Sequence, residues 1–179
     1  MICAGIDYSM NSPAVCIYKE DGILNPSNCS YHFFGLDKWR PRWSALQNVN
    51  CYKFPKELKD LDKYMFLAEW TIEAIRHYNY RASKVVLEDY SFGSTGRVFH
   101  IAENVGILKY ALKKNGFRYE IVQPTVLKKY ATGKGNSNKE AMLEAWKTEP
   151  GTFDLVQETG NPASDIVDSY FLCKYGVNQ

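Results

Sequence analysis

No apolar stretch in the 179 residues approaches the ~18 in a row that a membrane-spanning helix needs, so no membrane partner is expected. Charge of one sign is equally scarce. With 22 Lys and Arg against 20 Asp and Glu, the formal net charge is only +2, which by itself announces no polyanionic partner. The cysteines number five, at positions 3, 16, 29, 51 and 173, scattered and without a CxxC pair. Their odd count and wide spacing argue against a disulfide framework and a cysteine-built zinc site. They favour a reducing, cytoplasmic setting in which each thiol serves as a small core residue. His32, His77 and His100 show no metal-ligand spacing and are assigned no catalytic role. There is no internal repeat, no low-complexity tract and no basic leader before Asp7.

What is present is the composition of a soluble globular protein, 45% hydrophobic and 23% charged, long enough for one well-buried domain and short for two. Residues 1–179 are therefore read as a single domain. The basic residues are unevenly spread. Between Lys109 and Lys139 stand eight Lys or Arg and one acid, Glu120, a local surface suited to a polyanion.

The order of elements predicts an α/β fold. Ile2 to Ser9 and Ala14 to Tyr18 read as strands joined by the turn Asn11-Ser12-Pro13, and residues 29–35 supply a third, so strands 1–3 form an antiparallel meander. Residues 37–55, with Trp39, Arg40, Arg42 and Trp43 and an ambiguous Val49 to Phe54 that could be a short strand, are treated as an insertion or long loop. Apolar residues at helical spacing follow over 56–78 and 98–115, on either side of the short buried strand Lys84-Val85-Val86-Leu87-Glu88. Tyr119 to Val122 is a further strand; Pro124 opens a helical turn, Ser137 is placed to cap the next helix, and a last helix starts at Pro162. Strands 4 and 5 are each reached through a helix, which implies parallel pairing. The expectation is a mixed five-stranded sheet flanked by helices.

The last helix carries Asp165 and Asp168 three residues apart, hence on one face. Asn161 suits its N-cap, and the helix dipole favours Asp165 in the first turn by roughly 0.3–1 kcal/mol. Asp168 lies a turn further in, where that benefit fades and repulsion from Asp165 opposes it at similar magnitude. Local physics alone reads the pair as a solvated face. Asp7 and Glu88 change the weighting, because both end strands whose carboxyl ends share one sheet edge if those strands are neighbours. Four carboxylates meeting there would raise one another's pKa, and a divalent cation relieves that repulsion. Hard oxygen donors suit Mg²⁺, with Mn²⁺ as a substitute, and the chemistry such sites perform is phosphodiester hydrolysis. Beside them, Gly133-Lys134-Gly135-Asn136 is a turn that lets backbone approach a phosphate. Lys139 is then within the next helix's first turn, as an electrostatic stabiliser.

In order and spacing, Gly5-Ile6-Asp7-Tyr8-Ser9, Val86-Leu87-Glu88, the segment from Thr132 to Lys139, and Asp165-Ile166-Val167-Asp168 resemble the RuvC-like Holliday junction resolvases over almost the whole chain. The resemblance implies an RNase H-like fold, four metal-binding catalytic acids at Asp7, Glu88, Asp165 and Asp168, and the family's lysines at Lys128 and Lys139. It also implies a homodimer acting on four-way junctions and other branched DNA, in recombination and repair, and a divergent or phage-encoded member working in the host cytoplasm. The family's aromatic wedge falls on Phe92, one place later than its pattern, and Arg97 and Lys134 are read as contacts to DNA phosphates. Competing readings are an RNase H-type nuclease or transposase on other nucleic acid, a non-catalytic DNA-binding module, which should have lost an acid, and a sugar-kinase-like ATPase half, for which the chain is too short.

Overall fold

The two central strands, ICAGID and KVVLE, carry charge only at their ends, the pattern of strands covered by helices on both faces. The computed structural model describes residues 2–19, 22–76, 84–89 and 98–179. In chain order the elements are β1 (Ile2–Asp7), β2 (Ala14–Lys19), a 3-10 turn (Pro26–Asn28), β3 (Cys29–Phe34), α1 (Arg40–Ser44), β4 (Val49–Tyr52), α2 (Asp60–Arg76), β5 (Lys84–Glu88), α3 (Val98–Lys114), β6 (Tyr119–Val122), α4 (Pro124–Thr132), α5 (Lys139–Lys147) and α6 (Ala163–Val177). The sheet order is β4-β3-β2-β1-β5-β6. The first three strands pair antiparallel, while β1 with β5 and β5 with β6 are parallel. No helix among the described residues is long and apolar enough to cross a membrane.

The sheet has six strands where the sequence predicts five. The extra one comes from the 37–55 segment, which is folded rather than a loop. Trp43 of α1 is fully buried with its ring 5.1 Å from Phe33, and this anchor turns the chain back so that β4 runs parallel to β3. Smaller corrections concern helix starts. Asn138, not Ser137, caps α5 by accepting from the Ala141 amide at 3.0 Å, because the Ser137 hydroxyl is engaged with Thr132 and the Lys134 carbonyl. Helix α6 begins at Ala163, and the Asn161 side chain accepts from the Ser164 hydroxyl at 3.0 Å instead of capping a backbone amide.

Two apolar layers enclose the sheet. On one face Ile6, Val15, Val85 and Leu87 meet Leu67 and Ile75 of α2 and Leu108 of α3. On the other, Cys3, Cys16, Tyr31 and Val86 meet Tyr170, Phe171 and Cys173 of α6, with α4 and α5 packed outside it through Leu127 and Trp146. The four cysteines at 3, 16, 29 and 173 are wholly buried there, as small core residues.

α6 lies on β1 at backbone distance. A Cβ on Gly5 would stand 2.2 Å from the Ser169 carbonyl oxygen and 2.3 Å from the Cys173 amide, and one on Gly176 would strike Val86 and Cys3. Helix and strand touch through these two missing side chains. Gly5→Ala is expected to force α6 off the strand and destabilise the fold by about 1–3 kcal/mol, the range of core overpacking, measured by urea unfolding. An unchanged midpoint would show that α6 seats by some other contact.

Candidate active site

Asp7 is the last residue of β1 and Glu88 the last of β5, and Ile6 stands beside Leu87 in the parallel register. Both carboxylates therefore emerge at one edge, the carboxyl ends of the parallel strands. α6 supplies the other two. With Ser169 seated over Gly5, the turn before it carries Asp165 and Asp168 over the end of β1. An open cleft of about 520 Å³ results, lined by Asp7, Glu88 and Asp168 together with Lys128 of α4, Lys139 of α5 and Asn161. Asp165 sits just beneath, 5% exposed.

Hydrogen bonds hold this arrangement. The Ser12 hydroxyl donates to Asp165 Oδ2 at 2.5 Å, and the Ser164 hydroxyl lies 3.4 Å from Asp165 Oδ1. Lys139 Nζ donates to Ser164 Oγ at 3.2 Å, so its ammonium is tied to the helix that carries the acids. Asp7 and Asp165 stand near enough for the charge of Asp165 to act on Asp7.

Crowding of the acids raises their proton affinity. Burial pushes the Asp7 pKa well above the carboxylate range, and the charges of Asp165, Glu88 and Asp168 push it further, against Lys139. Glu88 rises to about 8, through burial and then Asp168, with Lys128 opposing. Asp168 rises to about 7, through burial and Asp165, with Lys139 and Lys128 opposing. Asp165 reaches only about 6, because the bond from Ser12 and the charge of Lys139 offset its burial. The four acids thus hold protons at pH values where isolated carboxylates hold none.

The donor set suits a hard divalent cation: oxygen ligands carrying excess negative charge, with hydroxyls behind them. Among the described residues no three His, Cys, Asp or Glu side chains stand in a preformed ion shell. The charges of Lys139 and Lys128 act against the raised proton affinity of these acids.

The structure brings together Asp7, Glu88, Asp165, Asp168, Lys128 and Lys139. Lys134 stays on the exposed turn after α4, outside the cleft; its amide donates to the Thr132 hydroxyl at 3.2 Å. Phe92 and Arg97, read from the sequence as DNA contacts, lie outside the described residues, as does His77. Ser12 and Ser164 are invisible as partners in the sequence. Asn11-Ser12-Pro13 reads only as a turn, and the acid it serves is 153 positions away.

A carboxylate whose folded pKa is raised binds more protons folded than unfolded, so its contribution to stability falls as pH climbs from the unfolded value near 4 through the folded one. With Glu88 at about 8, Asp168 at about 7 and Asp165 at about 6, chelator-treated protein should lose stability steadily from about pH 5 to pH 8. Asp168→Asn should flatten the curve. Thermal melts across that range check it, and a metal-free melting point that rises with pH would contradict the clustering of the acids.

No protein-family model matches the chain, and no curated protein sequence matches it either. Solved structures do match. Thermus thermophilus RuvC superposes with a TM-score of 0.63 at 14% identity, covering 97% of this chain and 91% of that one. T. thermophilus RuvC in complex with a Holliday junction substrate gives 0.64 at 14% identity, with 97% and 90% covered. Fowlpox virus resolvase with Holliday junction DNA gives 0.55 at 14% identity, with 99% and 98% covered. Across nearly its whole length the chain therefore has the RNase H-like α/β fold of the RuvC and fowlpox virus resolvases.

Proposed function

We propose that residues 1–179 form one nuclease unit, a divalent-metal-dependent endonuclease that hydrolyses phosphodiesters in branched DNA, four-way junctions foremost. One observation carries the reading: four carboxylates from β1, β5 and α6 converge with Lys128 and Lys139 in a single cleft at the strand ends. A fold shared with two junction resolvases supports it.

Asp7, Glu88, Asp165 and Asp168 would hold Mg²⁺ or Mn²⁺. When bound, the ion supplies an activated water and neutralises charge on the reacting phosphate. The protein's own groups do the rest. Ser12 fixes the rotamer of Asp165, and Lys139, tethered to Ser164, places a cation where the phosphate's charge builds up. Lys128 offsets Glu88 and Asp168 and adds attraction for the backbone.

A four-way junction presents two equivalent strands, so symmetric cutting calls for two such clefts, and we take the active form to be a homodimer. The face that supports this lies across α2 and α3, where Leu61, Met65 and Tyr110 are 58%, 47% and 67% exposed beside Ile107. The double variant Leu61→Glu/Tyr110→Glu should sediment as a monomer while the unchanged protein sediments as a dimer; a dimer in both moves the interface elsewhere.

The central experiment offers labelled four-way, flap and linear DNA, and an RNA-DNA hybrid, in Mg²⁺. Preferential cutting of the four-way junction is expected, and Asp7→Asn or Asp168→Asn should slow it at least ~100-fold while junction binding persists. Turnover retained in these variants would remove the acids from the chemistry. Cutting confined to the hybrid would replace a junction resolvase by an RNase H-type enzyme.

A further inference from the structure

The 37–55 segment has no part in the acid cleft, yet it builds a groove that opens into it. The groove holds about 280 Å³ and lies between this segment and the β1–β2 turn. Asn11 and Asn161 line both spaces, and Ser12, in the groove wall, is the residue bonded to Asp165. The two spaces are therefore neighbours, and a polymer bound at the acids would have the groove beside it.

The groove's chemistry suits one occupant. Lys53 and Lys56 are exposed on its lining, and no salt bridge engages either among the described residues. Lys63 of α2 reaches the same turn and donates to Asn11 Oδ1 at 3.3 Å. The acid in the lining, Asp37, is already paired with Arg40 at 3.0 Å. Leu36 is 55% exposed in the lining, and Phe34 and Phe54 meet there with ring centres 5.3 Å apart. Cations on a rim and apolar groups on a floor are what a sugar-phosphate chain meets in nucleic-acid channels.

The groove is also rigid. Phe34 packs 4.4 Å from Trp70, the Gly35 amide donates to the Tyr52 carbonyl at 3.0 Å, and β4 is held in register by β3. The floor is thus formed before binding, and Lys53 and Lys56 stand on the loop that follows β4.

We propose that this groove is a second nucleic-acid track, holding through Lys53 and Lys56 the phosphate backbone of the substrate where it leaves the acid cleft. The proposal rests on the nuclease reading above. A segment outside the acid cleft thereby extends the footprint on the substrate beyond the scissile phosphate.

Lys53→Glu/Lys56→Glu tests it, with Lys59→Glu, exposed on the same segment but off the groove, as control for bulk charge. Fluorescence anisotropy on four-way junction DNA between about 50 and 200 mM salt reads the footprint. The double variant should bind roughly tenfold more weakly, with the salt slope reduced by about 2, one unit for each phosphate no longer neutralised. The Lys59→Glu control should bind close to the unchanged protein, and thermal melts should coincide for all three. Affinity and slope equal to those of the unchanged protein would overturn the groove while leaving the nuclease reading standing. A loss of binding free energy per substituted lysine that is equal in the double variant and the single-lysine control would also overturn it, as bulk charge. Competition by poly-glutamate together with unaltered DNA binding in the double variant would assign the groove to an acidic peptide instead. An unchanged protein that binds no DNA would overturn the nuclease reading and the groove with it.

Discussion

Everything at the cleft depends on the missing side chain at Gly5. A helix normally stands off a sheet by the thickness of two side-chain layers, but here the Ser169 carbonyl and the Cys173 amide occupy the space a Cβ would fill. Gly176 repeats the device against Val86 and Cys3, so two points fix both the height and the direction of α6. Thiol–carbonyl contacts between Cys3 and Cys173, at 3.5 and 3.3 Å, lie along the same seam, where larger side chains would not fit. Only with the helix this low do carboxylates on α6 meet those at the ends of β1 and β5.

The same closeness sets up an electrostatic conflict. Burial and mutual repulsion raise all four acids, and the site answers with protons, the Ser12 hydroxyl and two lysines. Each of these is weaker than a divalent cation at balancing several charges at once. A site arranged this way is destabilising as it stands, and on the reading proposed above uptake of a divalent cation would relieve the conflict and link binding to local order. Lys139 shows how position is shared: its tether to Ser164 makes the acids and the cation that faces the substrate move as one piece.

Much of this is legible in the residues and some is not. Strand-end acids announce themselves because an apolar run such as Val85-Val86-Leu87 stops abruptly at Glu88, and parallel pairing follows from a helical crossover. Asp165 and Asp168 are harder, since helix physics alone explains them as a capped, solvated turn, and only Asp7 and Glu88 make them a pair with a purpose. Ser12 and Ser164 are out of reach, because a turn serine carries no mark of a partner that arrives with the last helix. The 37–55 segment reads as a loop for a similar reason. Its strand is four residues long and its fold is held by Trp43 against Phe33, a tertiary contact that periodicity does not report. Asn138 rather than Ser137 caps α5 because a hydroxyl already committed within its own turn is not free to cap.

The folded 37–55 segment also explains how a chain with so little net charge presents a field to a polyanion. The acids occupy the centre of the cleft, where they repel phosphate until compensated. Lys128 and Lys139 stand beside the acids in the same cleft and oppose their raised proton affinity, while Lys53 and Lys56 line the neighbouring groove. On the reading proposed above, this mixture of charges would attract a phosphate backbone while the acids hold a metal ion; the net charge of +2 is the sum over the whole chain and does not report that local pattern. The added edge strand β4 matters in this balance because it carries the chain from the core anchor at Trp43 out to Lys53, the first residue beyond its end.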